Sequence, residues 1–109
     1  ESITADRYKD GYVYATWDRL TLSAGGPTYF SRTIDNGGLW EPARSIFDPG
    51  ARSQTINNQV VALPPAVANG PNTIVNFFTQ IDVATNSVQT TRLALIRSTD
   101  NGATWYSSP

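Results

Sequence analysis

The chain has no cysteine, no histidine and no methionine. Without cysteine there is no disulfide, no thiol nucleophile and no thiolate-bound zinc. Without histidine, Ser-His-Asp chemistry, His-ligated metals and the commonest general base are excluded, and no cofactor is implied. Apolar runs are short, as at 60–63, so no segment can span a bilayer as a helix. No basic-plus-apolar leader opens the sequence. Because Glu1 stands directly before a strand-like run and no Met precedes it, the chain is expected to begin inside a longer protein. Removal of a leader is the alternative. Lysine is nearly absent too: Lys9 stands alone against seven arginines, and the net charge is −1. Cations this dispersed offer no footprint for nucleic acid or an anionic membrane. The Arg bias suits a planar acceptor such as an acidic sugar, though Arg on strands also serves simply to cap a face or pair locally.

What remains is 109 residues, one domain's worth, 39% hydrophobic and 16% charged. Helical periodicity is missing, and Pro, Gly, Asn and β-branched residues are frequent. Short β-rich runs recur at 2–5, 12–17, 28–34, 39–47, 56–63, 73–80, 91–99 and from 104 to the end. They form two sets of four, divided at Pro49-Gly50, with connections short enough for antiparallel meanders. The runs Tyr12-Val13-Tyr14-Ala15, Thr73-Ile74-Val75 and Leu93-Ala94-Leu95-Ile96 carry apolar bulk on both parities. Such sheets are expected to be covered on both faces, as stacked blades are. A two-sheet sandwich is the second choice.

One motif occurs twice. Ser98-Thr99-Asp100-Asn101-Gly102-Ala103-Thr104-Trp105 fits S-x-D-x-G-x-T-W. About 65 residues earlier stands Thr33-Ile34-Asp35-Asn36-Gly37-Gly38-Leu39-Trp40, with Thr for Ser and Leu for Thr. Asp-Asn-Gly between strands predicts a tight hairpin in which Gly supplies positive φ. The Asp carboxylate is expected to accept turn N–H groups, the Ser or Thr hydroxyl to add a local bond, and the Trp to bury its ring against a neighbour.

This motif resembles the Asp box (BNR repeat) of the sialidase/neuraminidase superfamily. The segments Ile3-Thr4-Ala5-Asp6, Tyr12-Val13-Tyr14-Ala15-Thr16-Trp17-Asp18-Arg19 and Trp40-Glu41-Pro42-Ala43-Arg44 share the likeness. The resemblance implies an all-β fold: two four-stranded antiparallel blades, 1–48 and 49–109, of a larger, six-bladed β-propeller. It also implies a secreted or cell-surface bacterial-type protein acting on a glycan or glycoconjugate, as an exo-sialidase-like glycosidase hydrolase. The alternative is a non-catalytic propeller that binds glycan or protein. In the family the box lies between the third and fourth strands, on the face opposite the active site. Thr33, Asp35, Gly37 and Trp40, with Ser98, Asp100, Gly102, Thr104 and Trp105, are therefore structural.

That rule directs the search for function to the loops at the other end: 18–27, 48–54 (extending to 58) and 80–90. Their polar residues are Asp18, Arg19, Arg52, Gln54, Asn57, Asn58 and Asp82. Arg19, Arg52, Gln54 and Asn58 are the ligand-binding candidates, and Asp18 is the acid to test first. Local pairing, turn formation and plain solvation are the competing readings of each. Sialidases also use an arginine triad, a Tyr-Glu nucleophile pair and an Asp acid/base. The Arg-Ile-Pro segment of the first arginine is not in this sequence. Glu1 is terminal and Glu41 follows a box Trp, so no nucleophile pair carries over. The remaining blades of a propeller are the other expected partner. No metal site and no membrane span are expected.

Overall fold

A computed structural model describes residues 1–20 and 25–107. The fold is all-β, built from two antiparallel four-stranded sheets that follow one another along the chain. The first holds β1 (Ser2–Ala5), β2 (Val13–Asp18), β3 (Thr28–Thr33) and β4 (Arg44–Phe47) in sequence order. The second holds β5 (Ser53–Ala62), β6 (Ile74–Val83), β7 (Gln89–Ser98) and β8 (Tyr106–Ser107) in the same order. The eight expected runs are therefore eight strands. The fourth and eighth are markedly shorter than expected: β4 starts at Arg44 instead of 39 and β8 at Tyr106 instead of 104, because Leu39 and Thr104 are held in the box turns and Trp40 makes only an isolated bridge to Thr33. The part of the 18–27 loop at 21–24 and the chain end at 108–109 lie outside the described residues.

Strand β5 begins earlier than expected and absorbs 53–58. Asn57 and Asn58 read as turn formers in the sequence, yet the chain continues straight through them. Ile56 pairs with Thr79 and Gln59 with Phe77, so both asparagines face Phe78 alone. This β-bulge is made possible by Asn57 at φ 57°, a left-handed conformation that Asn tolerates better than most residues. The bulge turns Asn58 inward, where it is fully buried.

The core lies between the sheets, where β1 and β2 cover β5. Tyr14 and Phe30 come from the first sheet and Val60 and Ile74 from the second, with Tyr12, Ile46, Ala62 and Trp105 around them. Phe47 meets Phe78 at 5.1 Å between ring centroids. Polar layers flank this apolar centre. On one side Thr28 donates to Asn58 and meets the Thr55 hydroxyl, while Asn76 Nδ2 also donates to Asn58 Oδ1. On the other, Asp6 accepts Tyr14 Oη–H at 2.7 Å and both bonds from Asn72 Nδ2 at 2.8 Å. Burial, reinforced by that bond to Asp6, pushes the Tyr14 hydroxyl well above its ordinary pKa.

Strand register gives each residue of one sheet a counterpart in the other. Thr33 corresponds to Ser98 as the first box residue; Val13 pairs with Thr33, and Ile74 pairs with Ser98. Ala5 in turn pairs with Val13, and Ala62 with Ile74. The turn bonds agree independently: Asn36 N–H donates to Gly11 O, and its counterpart Asn101 N–H to Asn72 O. Ile3 is thus the counterpart of Val60, Trp17 of Phe78, Phe30 of Leu95 and Trp40 of Trp105. Within each pair, one member is at the interface and the other faces outward. Val60 is 3% exposed and Ile3 67%. The sheets stack front to back, with non-equivalent faces in contact. The expectation of cover on both faces is met on the inner face only, since none of the described residues packs a further layer on the outer ones.

Candidate functional site

Both boxes close at one end of the stack, between β3 and β4 and between β7 and β8. Asn36 and Gly37 have φ 59° and 91°, and Asn101 and Gly102 have 59° and 89°. Two successive left-handed residues make the hairpin turn of type I′, with Gly38 N–H returning to Asp35 O and Ala103 N–H to Asp100 O. Thr33 Oγ1 donates to Asp35 at 2.8 Å and Ser98 Oγ to Asp100 at 2.6 Å. Those same hydroxyl oxygens accept Gly37 N–H and Gly102 N–H. The carboxylates accept Leu39 N–H and Thr104 N–H, both at 2.9 Å. The second carboxylate accepts one bond more, from Thr104 Oγ1 to Asp100 at 2.6 Å, which Leu39 has no hydroxyl to make.

These bonds favour the ionised form of both acids. The Leu39 amide and then the Thr33 hydroxyl hold Asp35 below the usual carboxylate range. For Asp100, burial opposes ionisation, but bonds from Ser98 and Thr104 outweigh it and its pKa is also lowered. Trp105 donates Nε1–H to Gly102 O and sets its ring edge-on to Phe30 at 5.2 Å. Trp40 carries no such neighbour and is 39% exposed, against the expectation that both indoles would be buried. Its counterpart contact needs another sheet in front of β1–β4.

At the opposite end the described chain forms a shallow cleft lined by Leu20, Arg52, Ser53, Gln54, Ile81 and Val83. It is built where the first sheet's β2–β3 loop meets the open edge of β5. Gly26 N–H donates to Ser53 O and Thr55 N–H to Gly26 O, a parallel bridge that covers that edge. A Cβ at Gly26 would lie 2.7 Å from Gln54 Cβ, so only glycine lets the strands approach.

Of the ligand candidates, Arg52 and Gln54 line this cleft, but Arg52 directs its guanidinium at Val83 O and Ala84 O, both at 2.9 Å. Asn58 does not line it: its amide is enclosed between the sheets and shared among Thr28, Thr55 and Asn76. The bulge that carries Asn57 and Asn58 is the physical reason. Arg19 lies over the Tyr29 ring, 5.4 Å from its centroid, on the far face of the first sheet. Asp18 ends β2 opposite Thr28, on the inward parity, so it is not brought together with Arg19. Asp82, grouped with the loop residues, lies inside β6 instead, one residue before its end. It accepts from the Ser53 hydroxyl and from Gln80 Nε2, and pairs with Arg92 at 3.2 Å. The Ser53 bond foremost, then Gln80 and the Arg92 charge, lower its pKa. Sequence reading missed this cluster because its members come from three strands. Ser53 and Asp82 are register partners, a relation visible only once β5 is known to start at 53.

Chemically, the cleft lining offers the Gln54 amide, the Ser53 hydroxyl and the Arg52 guanidinium. The Asp82 carboxylate, bonded to Ser53, stands beside it, and Asp18 and Asp48 lie at the same end of the stack. Among the described residues no group of three His, Cys, Asp or Glu is placed to hold a metal, and no helix is long and apolar enough to cross a membrane. The chain matches no protein-family model, no curated protein and no solved structure.

Proposed function

We propose that the chain supplies two consecutive blades of a sialidase-like Asp-box β-propeller, and that this propeller acts on a glycan at the end opposite the boxes. One observation carries the reading: the two sheets, each ending in the same Asp-box turn, stack front to back with both turns at one end. A sandwich of two related sheets that buries equivalent faces closes on itself, whereas front-to-back stacking leaves both outer faces able to take a further sheet in the same way. Asp35 and Asp100 are occupied in holding their turns, which leaves the opposite cleft as the binding end. Its Gln54 amide and the nearby Arg92 guanidinium, 61% exposed, suit sugar hydroxyls and a sugar carboxylate.

By resemblance the activity is exo-glycosidic, on sialosides, in a secreted or surface protein. Hydrolysis of sialosides by the intact protein is the test, with a panel of other glycosides alongside; turnover of none of them rejects the hydrolase. A second reading, glycan binding without turnover, is favoured by Asp82, whose carboxylate is bound to Ser53, Gln80 and Arg92 rather than free for proton transfer. A glycan array separates the two, since retention without product is the signature of a binder.

A further inference from the structure

We propose that the outer face of β5–β8 binds the outer face of β1–β4 of a second copy of this chain, so that copies associate head to tail. The proposal goes beyond the glycan reading and rests on face equivalence alone.

The internal interface is the template. There the first sheet presents Tyr14, Thr16 and Phe30, and the second receives them with Val60, Ile74, Phe78 and Trp105. Register assigns the first sheet's set to Val75, Phe77 and Leu95 on the back of the second sheet. The second set corresponds to Ile3, Val13, Trp17 and Trp40 on the front of the first. Phe77 is 47% exposed, Leu93 on the same face 87%, and Ile3 67%. An isolated two-sheet protein would gain nothing from this much apolar surface in the open. The first sheet's front carries Ile3, Ala15 and Trp17 in one depression, and the second sheet's back carries Phe77 and Leu93 in another.

Polar groups follow the same relation. Arg32 crosses the internal interface and donates to Asn101 O, on the second box turn. Its counterpart Arg97 has no sheet to cross to and lies over the Tyr106 ring at 5.2 Å. In a second copy the counterpart of Asn101 O is Asn36 O, at the rim of the same front face. The pairs expected across the new contact are therefore Trp40 on Leu95, Ile3 and Trp17 over Phe77, and Arg97 to Asn36 O. Because the two patches differ, the contact is heterologous: it adds copies in one direction until a ring closes or a stack grows.

The test uses sedimentation equilibrium on the chain and on Ile3→Glu, Leu95→Glu and Leu93→Glu variants, with circular dichroism to confirm folding. Leu93 is so exposed that its replacement disturbs no internal packing, which covers the case that Leu95→Glu fails to fold. The wild-type chain is expected to associate as concentration rises, and each single variant to remain monomeric. Mixing Ile3→Glu with Leu93→Glu should restore association, but only to a one-to-one dimer, since one intact front meets one intact back. A wild-type monomer at the highest soluble concentration overturns the proposal. So does an Ile3→Glu variant that still associates, as a symmetric back-to-back dimer would, or an equimolar mixture that stays monomeric.

Discussion

Asp100 sits at the centre of three hydrogen bonds to its carboxylate, from Ser98 Oγ, Thr104 N and Thr104 Oγ1. Replacing it with Ala strips the turn of its acceptor and is expected to cost about 1–2 kcal/mol in chemical denaturation. The first box lacks the threonine hydroxyl, so Leu39→Thr should raise the melting temperature slightly rather than lower it; Leu39 is exposed and nothing packs on it to be lost. Asp35, Asp82 and Asp100 share a second consequence. Each has a folded pKa below its unfolded value. Their contribution is therefore present above the unfolded carboxylate value of about 4 and is lost as pH falls through the lower folded values. The melting temperature should hold steady from neutral pH down to about 5 and fall below about 4. Asp100→Asn should flatten that acid limb. Asp-x-Gly and its preceding hydroxyl residue were legible from the sequence because the whole device is local, within eight residues.

At the scale of elements, the strands were legible as runs of β-formers, but their edges were not. The runs expected from 39 and from 104 begin inside the boxes, where the Asp carboxylates hold the Leu39 and Thr104 amides in the turns. The reverse happened at Asn57-Asn58, where a left-handed Asn was accommodated as a bulge instead of ending the strand. Asn58 consequently serves the interface, not the cleft. Asn58→Ala would leave the Asn76 amide without its acceptor and the Thr28 hydroxyl with Thr55 alone, and should cost about 1–3 kcal/mol, read by urea unfolding. Trp105→Ala removes the edge-on contact with Phe30. Because the indole is only half-buried, the expected loss is about 2–3 kcal/mol, short of the range for a fully buried aromatic. Trp40→Ala, with no such neighbour, should change the stability of the monomer far less. The candidate site was the least legible part. Ser53, Gln80, Asp82 and Arg92 meet through the β5–β6–β7 register, and no spacing along the chain announces that meeting.

For the molecule as a whole, the order of the sheets and the placement of the boxes matter more than any single contact. Stacking non-equivalent faces puts both Asp-box turns at one end and the cleft at the other, so the proposed binding end and the turns are separated by the length of the strands. If the cleft takes a glycan as proposed, Gln54→Ala is expected to weaken its retention several-fold with little change in melting temperature, whereas Asp100→Ala should do the opposite. The central claim is the front-to-back stack, and nuclear Overhauser contacts in the monomeric chain read it most directly. The account predicts contacts from the Phe30 and Tyr14 rings to Val60, Ile74 and Trp105. Contacts from Phe30 to Leu95 or Phe77 would place equivalent faces together and contradict it.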